Sequence, residues 1–191
     1  MILPIVAYGD PILRKKGIEI KKNYPDLNEL IANMQETMYN ASGVGLAAQQ
    51  IGKAIRLFVI DASPFGEDED FEEGERIVLK DFKRVFINAK IISEEGDEWA
   101  FNEGCLSIPD VREDVWRQPK ITVIYQDENF ENHTETLEGL PARVFQHEYD
   151  HIEGILFTDK ISSLKKRLIK KKLDNISKGK VKADYRMRFF K

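Results

Sequence analysis

Leu140-Pro141-Ala142-Arg143-Val144-Phe145-Gln146-His147-Glu148-Tyr149-Asp150-His151-Ile152-Glu153-Gly154 is the stretch on which the reading of this chain turns. Its pattern predicts a helix from about Leu140 to Glu153. Pro141 is tolerated in a first turn, where its missing N–H costs nothing, and Gly154 stands where a helix stops. His147 and His151 are four residues apart, so a helix stacks both imidazoles on one face, close enough to bind one metal ion. Glu148 lies beside that face, where its carboxylate can take a proton from a water on the metal and later return it to a leaving group. The bland alternative is a solvated helix that happens to carry two histidines. The chain has only three, the third being His133, which weighs against coincidence.

Two histidines are too few, because a catalytic site of the zinc type uses three protein ligands and an open position. The long protease pattern H-E-x-x-H-x-x-G-x-x-H is followed as far as Gly154, but its last position is Phe157, which cannot ligate. A glutamate from a later helix also fails, since Glu153 is the last in the chain; Asp159, Asp174 and Asp184 are weaker options. Upstream stand His133, in a polar run that reads as exposed, and the single cysteine, Cys105. A lone cysteine is most often a small buried hydrophobe. Here Gly104 beside it permits close approach, and a thiolate is the stronger ligand of the two, so Cys105 is favoured while His133 stays open.

Outward from this stretch the chain reads as one soluble domain. It has 191 residues, 42% hydrophobic and 32% charged, with a formal net charge of -4. One cysteine excludes an intrachain disulfide. No apolar run approaches the ~20 residues that span a bilayer, and the first residues lack the basic start of a signal peptide, so a cytoplasmic location is expected. A helix is predicted from Asp26, capped there, with Glu29 at the capping-box position, Leu30, Ile31, Met34 and Met38 on one face, and Gly43 past its end. Strand-like runs follow at Arg56–Asp61, Arg84–Ser93, Ile121–Gln126 and, more weakly, Asn132–Leu137. Seven of the nine residues from Glu67 to Glu75 are acidic, so the stretch from about 62 to 80 reads as a solvated loop. A basic helix is predicted over about 162–177, with Leu164, Leu168, Ile169 and Leu173 on one face. Strands and helices do not alternate regularly, which points to α+β rather than a doubly wound sheet.

Three blocks then resemble, in order, the signature motifs of the peptide deformylase family: Gly43-Val44-Gly45-Leu46-Ala47-Ala48-Gln49-Gln50, Glu103-Gly104-Cys105-Leu106-Ser107, and Gln146-His147-Glu148-Tyr149-Asp150-His151. The resemblance implies a single α+β domain over residues 1–191, with the H-E-x-D-H helix central, antiparallel or mixed sheets around it, and a helix towards each end. It implies a metal held by Cys105, His147 and His151: Fe(2+), one per chain, with Zn(2+), Ni(2+) or Co(2+) able to substitute. It implies removal of the formyl group from formyl-methionyl nascent polypeptides, with metal-bound water attacking the formyl carbon and Glu148 as general base and acid. The Gln50 side-chain amide and the Leu106 N–H would hold the oxyanion, and Val44, Gly45, Gly104, Leu140 and Val144 the substrate. A monomer is expected, with no DNA or membrane partner and with a transient ribosome contact through the basic helix. Departures are Ala89, where a proline often follows the position of Asn88, Glu128-Asn129-Phe130 where a glycine is common, and the acidic stretch, which reads as an insertion. Competing readings are a metal-dependent endopeptidase, indifferent to loss of Cys105, and a non-catalytic metal or nascent-chain binding module, indifferent to loss of Glu148.

Overall fold

The structure, a computed structural model, describes residues 1–190. In chain order its elements are β1 (Ile5–Val6), α1 (Leu27–Asn40), β2 (Gly45–Ala47), β3 (Leu57–Asp61), α2 (Glu73–Lys80), β4 (Lys83–Glu95), β5 (Trp99–Cys105), β6 (Ile108–Arg117), β7 (Lys120–Gln126), β8 (Asn132–Glu138), α3 (Gly139–Ile152), α4 (Ser163–Ser177) and β9 (Met187–Arg188). Strands β2-β3-β4-β7-β8 form one antiparallel sheet, β5 and β6 a separate hairpin, and β1 and β9 a parallel pair. This is the expected α+β class, with α1 and α4 towards the two ends and α3 at the centre.

Strand β3 is buried along its whole length because both of its faces are covered. Phe58 and Ile60 join Phe145 of α3, while Leu57 and Val59 join Ile31, Met34 and Met38 of α1. A strand sends alternate side chains to opposite faces, so β3 serves two cores at once. Phe145 packs edge-on against Phe58 and Phe86, with ring centroids 5.2 and 4.9 Å away. Burying a ring of that size stabilises by roughly 1.5–3 kcal/mol. In β7, Ile121, Val123 and Tyr125 alternate inward with that same period. Helix α3 is thereby pinned on the sheet, and the β5–β6 hairpin closes over its other side through Arg143, which bonds the Val115 carbonyl at 3.0 Å.

Several expectations are corrected. The segment read as a loop over 62–80 contains a 3-10 turn at Ser63–Glu67 and then α2, whose acidic first turn suits the positive end of a helix and whose Leu79 is buried. Helix α1 follows Asp26, but that residue has φ 52 and makes no side-chain cap. The left-handed residue past its end is Ser42, whereas Gly43 lies close under the Leu106 side chain, where a Cβ would come within 2.7 Å of Leu106 Cδ1. On α4, Ile169 and Leu173 are buried with Ile176, but Leu164 and Leu168 are 66% and 72% exposed. The hairpin and the β1–β9 pair were not anticipated from local pattern.

Candidate metal centre

Helix α3 sets the His147 and His151 rings 5.1 Å apart, and β5 ends by presenting Cys105 to them. Cys105 Sγ lies 3.3 Å from His151 Nε2, and one donor atom each from Cys105, His147 and His151 falls within 4.8 Å of the others. His133 is elsewhere: its Nε2 sits 2.9 Å from Asp127 Oδ2, in a separate group with Glu131, so the choice left open between His133 and Cys105 falls to Cys105.

A network behind the corner aims the imidazoles. Glu103 and Cys105 are two apart on a strand and so share a face. Glu103 Oε2 is 3.0 Å from His147 Nδ1, while Arg117 Nε and Arg143 Nη1 reach Glu103 Oε1 at 2.7 and 3.0 Å. Arg117 also bonds Asp150 Oδ2 at 2.6 Å, tying the hairpin to α3. Burial alone would raise the Glu103 pKa, but hydrogen bonds from His147 and Arg117 hold it far below the usual carboxylate range. Glu103 is therefore an acceptor, His147 donates from Nδ1, and its Nε2 lone pair is the one left to ligate. Burial opposes charge on His147 too, yet in the metal-free corner hydrogen bonding with Cys105 and Glu103 raises its pKa well above normal, so a metal binding at Nε2 would displace a proton from it. Burial and the facing His147 push His151 well below it.

One thiol and two imidazoles, converging with no fourth protein ligand among the described residues, fit a divalent transition metal with an open position. His151 Nδ1 is buried without a hydrogen-bond partner, leaving that ring's orientation to packing and to whatever its Nε2 meets.

The other predicted residues surround this corner. Gln50 Oε1 accepts the Ala47 N–H at 2.8 Å, which fixes the amide so that Nε2 points towards Cys105 Sγ (3.5 Å) and Ser107 Oγ (3.4 Å). Glu148 is only 4% exposed and its Oε2 has no partner; burial pushes its pKa up to about 7. Gly45 makes room for it, since a Cβ there would sit 2.3 Å from Glu148 Oε1. A cleft of about 460 Å³ opens over the corner, and Val44, Gly45, Gly104, Leu106 and Val144 line it. Leu140 does not: it is buried one turn before Val144, in the core cluster that Val144 shares, and it lines a different groove with Leu137 and Pro141. Phe65, Phe101 and Arg143 line the cleft unpredicted. Glu103 was quoted only as part of a motif; reading its segment as a strand would have put it on the face of Cys105.

The geometry is matched by comparison with known proteins. The family model described as polypeptide deformylase matches residues 2–167. A peptide deformylase of Christiangramia forsetii is 68% identical over 189 residues, covering 99% of this chain and 96% of that protein. A crystal structure of a peptide deformylase from Legionella pneumophila superposes with a TM-score of 0.78 at 38% identity, covering 93% of this chain and 96% of that one. One from Thermotoga maritima gives 0.73 at 37% identity, covering 85% and 99%. The corner of Cys105, His147 and His151, with Glu148 beside it, is thus found in a chain that belongs to the polypeptide deformylase family.

Proposed function

We propose that this cleft removes the N-terminal formyl group from formyl-methionyl polypeptides and releases formate, with Glu148 moving the proton. The observation that carries the reading is a buried carboxylate whose free oxygen has no protein partner, beside a three-donor metal corner. When bound, a divalent metal acidifies water and polarises a carbonyl. Cys105, His147 and His151 would hold it, and Fe(2+), one per chain, is the metal we assign, with zinc, nickel or cobalt able to substitute. Glu148 takes a proton from the attacking water and hands it to the departing amine; a carboxylate poised near neutrality suits both directions. Gln50 Nε2 and the Leu106 N–H bind the oxyanion as it forms, in place before the reaction begins. Val44, Gly45, Gly104 and Val144 receive the substrate, with Leu140 packed behind Val144. Formate release from formyl-Met-Ala-Ser by anaerobically purified protein tests the proposal. No formate above the level of a Glu148→Ala control would sink it.

Gly45→Ala is expected to lower kcat about 10²-fold, because the added methyl displaces the Glu148 carboxylate and a misplacement near 1 Å costs about that much. Steady-state kinetics should show the loss in kcat with metal content unchanged.

The proposal extends to setting: one deformylase domain over the whole chain, working in the cytoplasm as a monomer without DNA or membrane partners. No helix among the described residues is long and apolar enough to cross a membrane. A transient contact with ribosomal RNA through α4 is supported by exposed Lys170, Lys171 and Lys172 beside exposed Leu164 and Leu168. Such a contact weakens steeply with salt. Reversing the three lysines to glutamate should abolish co-sedimentation with ribosomes at low salt; unchanged sedimentation would end this part of the proposal.

A further inference from the structure

The matched family region stops at residue 167, yet the chain beyond α4 returns to the site. Strand β9 pairs in parallel with β1, Ile5 with Met187 and Val6 with Arg188. The Ile5 and Ala7 N–H groups each donate at 2.9 Å, to the carbonyls of Arg186 and Arg188. Met187 and Phe189 pack on one apolar cluster and Tyr185 on another, together with Leu106. This pairing delivers two donors to the tight turn between β5 and β6, in which Cys105 faces Ile108 across Leu106 and Ser107. Tyr185 Oη–H donates to the Leu106 carbonyl at 2.8 Å, and the Tyr8 N–H donates to the Ser107 carbonyl at 2.8 Å.

We infer that Tyr185 is a positioning residue: its hydroxyl, carried on the C-terminal tail, fixes the Leu106–Ser107 peptide and so aims the neighbouring Leu106 N–H at the formyl oxygen. This rests on the reading of Leu106 as an oxyanion donor. Leu106 sits in a two-residue turn, outside the ladder of either strand. Without an acceptor bond its peptide planes can tilt, and an oxyanion donor works only if it is already aligned. The tail supplies the missing constraint from a distance that the three signature motifs do not cover. Burial, with the nearby Cys105, Asp110 and Asp184, raises the Tyr185 pKa above the ordinary phenol range, so the hydroxyl remains a donor throughout neutral pH.

The test is Tyr185→Phe in the full, metal-loaded chain, with formyl-Met-Ala-Ser as substrate. Removing a whole oxyanion donor costs ~10²–10³ in rate, and loosening one should cost less. We expect kcat to fall about tenfold at unchanged KM, with metal per chain and melting temperature unchanged. Amide hydrogen exchange across residues 104–108 should quicken. Tyr185→Leu, which also removes the ring, should lower the melting temperature but reduce kcat no further than Tyr185→Phe does. Wild-type kcat and wild-type exchange in Tyr185→Phe would overturn the inference, as would a kcat loss matched by equal metal loss. If the wild-type chain itself released no formate, the deformylase reading would fail, and the exchange comparison would still decide the brace.

Discussion

Replacing Glu148 with alanine or glutamine lowers kcat for formate release by ~10²–10⁴, the span that one positioned acid–base group contributes. The expectation follows from where the carboxylate sits. Its side chain is buried and one oxygen has no protein partner, whereas the other carboxylates lining the cleft are Glu103, held by Arg117 and Arg143, and the exposed Asp110. Glutamine keeps the shape and removes only the ability to move a proton, so equal losses in both variants assign the effect to chemistry rather than packing. Metal content and KM should stay at wild-type values, because Glu148 is not one of the three converging donors. The melting temperature of Glu148→Gln should be no lower than wild type, since a neutral amide avoids burying an unpaired charge. A variant that keeps more than a tenth of wild-type kcat would remove Glu148 from the reaction.

Cys105→Ala empties the corner. Losing an outer partner of a metal ligand typically costs 10–100-fold in affinity, and losing one of three ligands should cost more than ~10². After dialysis against a chelator, elemental analysis should find metal in the wild type and little in the variant, and formate release should fall in proportion. A metal-dependent endopeptidase that took its third ligand elsewhere would keep its metal and would cleave unformylated internal peptide bonds as well in Cys105→Ala as in the wild type. Retention of metal by Cys105→Ala would count against the ligand set. The fold should survive, because Arg117 still ties Glu103 of the hairpin to Asp150 of α3.

The central helix was readable in advance because everything it needs is local: a tolerated Pro141, a terminating Gly154, and two histidines one turn apart. Strands β3, β4 and β7 were readable for the same reason, as runs of alternating or continuous apolar residues, and β8 only weakly, since Leu137 is its one buried apolar side chain. The β5–β6 hairpin was not, because its inward-facing Glu103 and Arg117 look like surface charges until each is seen to neutralise the other. Buried ion pairs defeat a hydrophobic pattern in this way. Helix α2 was hidden by its own acids, which read as solvated loop yet favour a helix start. Leu164 and Leu168 misled in the opposite sense, apolar at helical spacing but left outside. At the site, the convergence of Cys105 with His147 and His151, and a carboxylate beside them, was legible from chemistry and motif. Glu103, Arg117 and Tyr185 act through partners distant in sequence, which no local spacing reports.

The pairing of β1 with β9 has a consequence in time. A chain is made from its N-terminus, so the first strand emerges long before its partner exists. Contacts of such wide sequence separation form late and slowly. The sheet, α3 and the metal ligands can assemble while synthesis continues, but Tyr185 cannot reach Leu106 until the final strand has appeared. On the proposed roles of Leu106 and Tyr185, alignment of the Leu106 N–H is therefore the last event of folding, and a copy terminated before Tyr185 is expected to hold its metal without reaching full speed.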